Sequence, residues 1–88
     1  MIIYFDGKHR HLVCVPYTVE NLHEMAKKLD IKRCWFHNAN WPHYDCPKRR
    51  VTQIADEDVI PVTPKQLLTI IKKELARQRV ARKFDENK

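Results

Sequence analysis

The apolar residues of this chain fall in two alternating rhythms, and that alternation restricts the available folds more than any other feature. Ile2–Phe5, Leu12–Val15, Cys34–Phe36 and Asp58–Val62 are short runs rich in β-branched and aromatic residues, the pattern of strands. Between them, Leu22, Met25, Ala26 and Leu29 recur at i, i+3, i+4 and i+7, one face of a helix. Val51, Ile54 and Ala55 repeat that spacing briefly, and Leu67, Leu68, Ile71 and Leu75 carry it into the C-terminal segment. The order ββαβαβα predicts an α/β (α+β) domain, a small mixed sheet of about four strands flanked by three helices. Strand–helix–strand units favour right-handed parallel crossovers, and the first two strands form an antiparallel hairpin.

Local signals place the boundaries. Asp6-Gly7 contains the only glycine and predicts a tight hairpin turn at positive φ. Pro16 ends the second strand or pushes it to an edge. Thr18 suits the N-cap of a helix running from about Val19 to Asp30, with Glu20 near the positive end of its dipole. Pro47 fits the first position of a second helix. Thr63-Pro64-Lys65-Gln66 reads as a capping box opening the third. A helix from Pro64 to Phe84 would be about 31 Å long, against a radius of gyration near 12 Å for a globule of this size, so its end projects. The expected division is a globular domain over 1–76 and a basic helical extension over 77–88.

The 88 residues suffice for one domain that buries about 60–65% of the open chain's surface. The apolar runs fall far short of the roughly 18–20 residues of a membrane span, and the N-terminus lacks a signal-peptide pattern. A cytoplasmic protein with no membrane partner is expected. Cys14, Cys34 and Cys46 form no Cys-x-x-Cys pair, so they read as small buried hydrophobes rather than a disulfide framework or zinc ribbon. Residues 1–64 hold nine Lys/Arg against eight Asp/Glu, and residues 65–88 eight against three, so +5 of the net +6 lies at the C-terminus. Lys73, Arg77, Arg79 and Arg82 are then either contacts for an anionic partner or a solvated helix face.

The stretch from His37 to Arg50 concentrates functional side chains and reads as a loop between the third strand and the second helix. It carries His37, Asn38, Asn40, Trp41, His43, Tyr44 and Asp45, followed by Lys48, Arg49 and Arg50. A helix starting near Pro47 would present free N–H groups and a positive dipole end there, so the whole points to an anion, most simply a phosphate. Asn38, Trp41, His43, Tyr44, Lys48, Arg49 and Arg50 are the candidate ligand contacts. Consecutive Lys48, Arg49 and Arg50 cannot all face one ligand. Trp41 either stacks on a base or plugs the end of the sheet, and Asp45 either caps the next helix or orients a histidine. Trp35 and Phe36 read as core.

His37 and His43 could share acid and base roles, with Asp45 as orienter. The same three residues have the chemistry of metal ligands, but their spacing fits no compact motif, and neither metal nor cofactor is expected. His9 and His11 join the site from the hairpin side or are simply exposed. With no serine present, the one candidate nucleophile is Cys46, beside Asp45 and the helix start.

Thr18-x-Glu20-x-Leu22-His23-x-Met25-Ala26-x-x-Leu29, then Arg33-x-Trp35-Phe36-His37-Asn38 and Pro42-His43-Tyr44-Asp45, resemble a family of small bacterial and phage proteins, the domain of unknown function 4031. The resemblance spans about residues 11–62. It implies a shared fold and a shared site at His43, Tyr44, Asp45 and Arg49 or Arg50, and it assigns no activity. It suggests a phage accessory protein, which would act in the host cytoplasm.

The leading expectation is a small protein that binds a phosphate-bearing ligand, a nucleotide or a nucleic acid, with sequestration of a nucleotide as one form of that role. One alternative is a metal-independent phosphodiesterase or ribonuclease using His37 and His43. Another is an interaction module or inhibitor that meets an acidic host protein through the basic C-terminal helix. The sequence sets no oligomeric state.

Overall fold

The computed structural model describes the backbone of residues 1–86 and the side chains of residues 1–80. Its elements are β1 (Ile2–Asp6), β2 (His11–Val15), α1 (Val19–Lys28), β3 (Phe36–His37), β4 (His43–Asp45), α2 (Val51–Ala55), β5 (Ile60–Val62) and α3 (Pro64–Glu86). The five strands form one mixed sheet in the order β3-β4-β2-β1-β5. The class is α+β, as the alternating rhythms imply, with one strand more than expected. Parallel pairing occurs between β1 and β5, whereas β3, β4 and β2 pair antiparallel.

The opening hairpin turns differently from the Asp-Gly reading. Gly7 does not take a positive φ; Arg10 does, at 62°, so four residues rather than two join β1 to β2. Asp6 holds the turn: its Oδ1 accepts from the backbone N–H groups of Lys8 (2.9 Å) and His9 (3.3 Å). A carboxylate that folds back on the next residues makes the turn on its own, and the glycine's freedom is not needed.

Residues 12–14 of β2 are all buried. Because neighbours on a strand face opposite ways, both faces of β2 are covered. Helix α1 starts at Thr18, whose Oγ1 accepts from Asn21 N at 3.1 Å, and buries Leu22, Met25 and Ala26. It stops at Lys28, two residues short of the expected end, because Asp30 takes a left-handed φ of 54°. Arg50 reaches over from the far side of the sequence to donate to Leu29 O at 3.0 Å and to Asp30 O, occupying carbonyls that a helix end leaves unpaired.

The capping box of α3 forms reciprocally: Gln66 N donates to Thr63 Oγ1 (3.1 Å) and Thr63 N to Gln66 Oε1 (2.9 Å). Leu67 and Ile71 anchor the helix in the core, while Leu68 and Leu75 are more than a third exposed. Glu74, almost buried, accepts from Tyr17 N at 3.1 Å, and Gln78 donates to Tyr17 O. Tyr17 in turn donates its hydroxyl to Pro42 O at 2.7 Å. One residue thereby ties the helix to the connection between β3 and β4. From Leu75 to Val80 every residue is exposed. Among the described residues no helix is long and apolar enough to cross a membrane.

Leu22 is fully buried and Leu68 is 39% exposed. Leu22→Ala should therefore cost about 2–5 kcal/mol in urea unfolding, and Leu68→Ala under about 1 kcal/mol. Similar losses at the two positions would contradict this packing.

Candidate functional site

Two strand registers build the site. In β4, His43 and Asp45 lie two residues apart and share a face, while Tyr44 points the other way. Directly opposite partners in antiparallel pairs also share a face. His37 stands opposite His43, and His11 opposite Asp45; Asp6 in turn stands opposite His11. Three imidazoles and two carboxylates thus meet on one side of the sheet. On the other side, Phe36, Tyr44 and Leu12 line up by the same register and belong to the core and its margin.

The histidine face is crowded. The His11 and His43 rings lie 4.3 Å apart between centroids, and those of His37 and His43 5.0 Å. Trp41 stacks on His43 at 4.4 Å and meets the edge of His11 at 5.3 Å. The ring of His9 lies 6.0 Å from that of His11. Asp45 Oδ1 is 3.2 Å from His43 Nε2 and 3.5 Å from His11 Nε2. His43 Nδ1 bonds Trp41 O at 3.1 Å, and Nε2 is sealed from solvent without a hydrogen-bond partner. Burial first, and then neighbouring His43, lower the pKa of His11; Asp45 and Asp6 oppose the shift. A groove of about 590 Å³ opens beside this cluster, and its lining includes His9, Arg10, His11, His37 and Asp45 together with Cys34, Trp35 and Cys46.

Several sequence-predicted residues sit elsewhere. The loop from His37 to Arg50 is interrupted by β4, a strand of three residues that its turn-forming neighbours conceal. Cys34 and Trp35 are in a single 3-10 turn rather than a strand, and Trp35 and Phe36 are only half-buried. Pro47 precedes another 3-10 turn, Lys48–Arg50, and α2 has five residues; a helix that short supplies no dipole worth invoking at the groove. Tyr44 is fully buried and bonds His23 Nδ1 at 2.7 Å, so a ligand in the groove does not reach it. Asn38 and Lys48 are exposed and outside the groove lining. Arg49 lies 5.8 Å from the Trp35 ring, and Arg50 is held on the end of α1. Cys46 is buried, its thiol pKa pushed up by that burial, the opposite of an activated nucleophile.

The structure brings together His37, His43, Asp45 and Trp41 and, of the two readings open for His9 and His11, places both beside them from the hairpin side; Arg10 is the addition. Its place between those two histidines was the available signal. Of the tail residues, Lys73, Arg77 and Arg79 are exposed on α3. Arg77 Nε lies 3.7 Å from Glu74 Oε2. Arg82 lies outside the residues whose side chains are described.

Fold and cluster together define a small α+β protein with a histidine-lined groove at one end of a mixed sheet. The family model described as protein of unknown function (DUF4031) matches residues 4–74, most of the chain, and the protein belongs to that family. The match reaches from β1 to Glu74 of α3, wider than the motifs that carry the resemblance in the sequence, and leaves out the basic extension. No curated protein and no solved structure matches the chain.

His23 generates a pH prediction. Burial first, and then Arg33 and Lys27, hold its pKa below the ordinary 6.5. The folded chain therefore binds fewer protons at this site than the unfolded one, so the site's effect on stability is absent above pH 6.5 and becomes unfavourable as the pH falls below it. His23→Gln keeps an acceptor for the Tyr44 hydroxyl but does not titrate. Its urea midpoint should fall less than the wild type's between pH 7.5 and 5.5; equal falls would show that His23 titrates normally.

Proposed function

We propose that this protein binds a phosphate-bearing ligand, a nucleotide or a nucleic acid strand, in the groove beside β2 and β4. The observation that supports the reading is the groove's lining, in which His9, His11, His37 and Arg10 occur together with the half-buried Trp35. Arg10 offers a planar fork of donors suited to a phosphate, and the imidazoles add donors that strengthen as they take up protons. The indole of Trp35, with Arg49 beside it, is a stacking face for a base. The volume falls within the range of small-molecule sites, about 300–1,000 Å³. A phage accessory protein that sequesters a nucleotide would use the same groove.

Cleavage of a phosphodiester by His37 and His43 draws less support. The rings are adjacent, but the free nitrogen of His43 is sealed from solvent and does not meet a substrate proton. An acidic protein partner on α3 would use Lys73, Arg77 and Arg79 instead of the groove.

The experiment is a titration of tryptophan fluorescence with nucleoside phosphates and with a single-stranded oligonucleotide. Binding of either should be weakened about tenfold or more by Arg10→Ala, a loss of about 1.4 kcal/mol. A nucleic acid would show a steep salt dependence that flattens when residues 77–88 are removed. A nucleotide would leave the truncated chain unaffected. No binding of either probe at about 1 mM, the weak end of measurable affinity, would overturn the reading.

A further inference from the structure

The unpartnered nitrogen of His43 points to a site of a different kind. His43 is 3% exposed, and its Nε2 is buried without a hydrogen bond. Its other ring nitrogen, Nδ1, faces the carbonyl oxygen of Trp41 at 3.1 Å. A carbonyl accepts only, so Nδ1 carries a proton, and Nε2 lies 3.2 Å from Asp45 Oδ1 without the alignment of a hydrogen bond. A carboxylate oxygen is also an acceptor. With no hydrogen bond aligned between them, a nitrogen lone pair and a carboxylate oxygen that close repel unless a cation lies within reach of both. Backbone carbonyls that hold the second nitrogen of a histidine are a recurrent companion of metal ligation.

The third donor is already in place. His11 Nε2 is 3.5 Å from the same Asp45 oxygen, and ligand atoms of His11, His43 and Asp45 all lie within 4.8 Å of one another. Metal–nitrogen and metal–oxygen bonds of about 2.0–2.2 Å in tetrahedral geometry require donor separations of about 3.3 Å. Both measured separations to Asp45 are close to that value, and the remaining pair needs side-chain adjustment of about 1.5 Å at most. The register of β2 with β4 supplies this geometry: His11 and Asp45 are opposite partners, and His43 follows on the same face.

We propose that His11, His43 and Asp45 bind one divalent transition-metal ion of the zinc class. Two imidazoles and a carboxylate suit zinc, cobalt(II) or nickel(II), whereas calcium and magnesium prefer all-oxygen shells. His43 forms the closed side of the site, under the stacked Trp41 ring. His11 and Asp45 line the groove, so the remaining coordination position opens toward it, the layout of a site that keeps a place for water or a ligand atom. The sequence spacing hides this set, because one ligand comes from the hairpin and two from β4. The proposal stands on this geometry and does not depend on phosphate binding.

The test uses metal alone. Chelator-treated full-length protein is titrated with cobalt(II) and with zinc in a phosphate-free buffer, by visible absorption and calorimetry. One equivalent should bind, with cobalt d–d bands of a nitrogen–oxygen site. Asp45 is half exposed, so Asp45→Asn retains the fold and should weaken binding about tenfold or more, the lower end of the effect of disturbing a metal site. His11→Asn should do the same. His43→Asn is checked by circular dichroism, and if it does not fold, the two exposed-side variants decide. Absence of binding, or one-equivalent binding that Asp45→Asn and His11→Asn leave unchanged, would overturn the proposal. So would nitrogen NMR of His43 showing an imidazolium paired with Asp45 whose signals zinc does not shift. Failure of the nucleotide titration with successful metal loading would remove the phosphate reading and leave this site intact.

Discussion

The alignment of β4 against β2, with His11 opposite Asp45 and Leu12 opposite Tyr44, is the constraint on which the rest of this molecule depends. Strand side chains alternate, so a slip of one residue would turn His43 and Asp45 into the core and bring Tyr44 out to the groove. What holds the register is hydrophobic: Tyr44 is fully buried and Leu12 beside it is too. The Tyr44 hydroxyl, which could not be buried alone, meets His23 of α1. The polar face exists because the apolar face has only one good solution.

That division of labour explains the two kinds of histidine. His23 sits on the core side, its neutral form favoured by burial, and serves as an acceptor for a phenol. His11, His37 and His43 sit on the other side, where the His43 ring lies against the other two and His11 and His43 share Asp45. Two imidazoles beside a carboxylate have the chemistry of a donor set for a cation. Arg10 and Trp35 belong to the groove's lining, and Arg10 suits an anion. A metal and a phosphate at this face are compatible on chemical grounds, since a phosphate oxygen can occupy an open metal position.

The basic triplet after β4 illustrates how context redirects charge. Arg50 closes the end of α1 through two carbonyls. Arg49 keeps company with Trp35. Among the described side chains, Arg77 and Arg79 lie on the exposed part of α3 beyond Glu74, which is also outside the stretch matched by the family.

Local spacing alone determined the elements with enough residues to show a period. Leu22, Met25, Ala26 and Leu29 marked α1, Thr63 and Gln66 marked the start of α3, and the β-rich runs at both hairpin arms and at Asp58–Val62 marked three strands, the last of which begins only at Ile60. A helix face or a cap is encoded within a few neighbouring residues, so no distant partner is needed to read it. His43-Tyr44-Asp45 is too short to show alternation and is surrounded by turn formers, so its strand character came only from pairing with β2. The candidate site was legible as a collection of residue types but not as a set. Which histidine joins His43 and Asp45, and that Arg10 rather than Arg50 faces the groove, depended on strands 30 residues apart in sequence lying side by side. Tertiary structure decided that, because only the burial of Leu12 and Tyr44 on the far face selects the register that brings those side chains together.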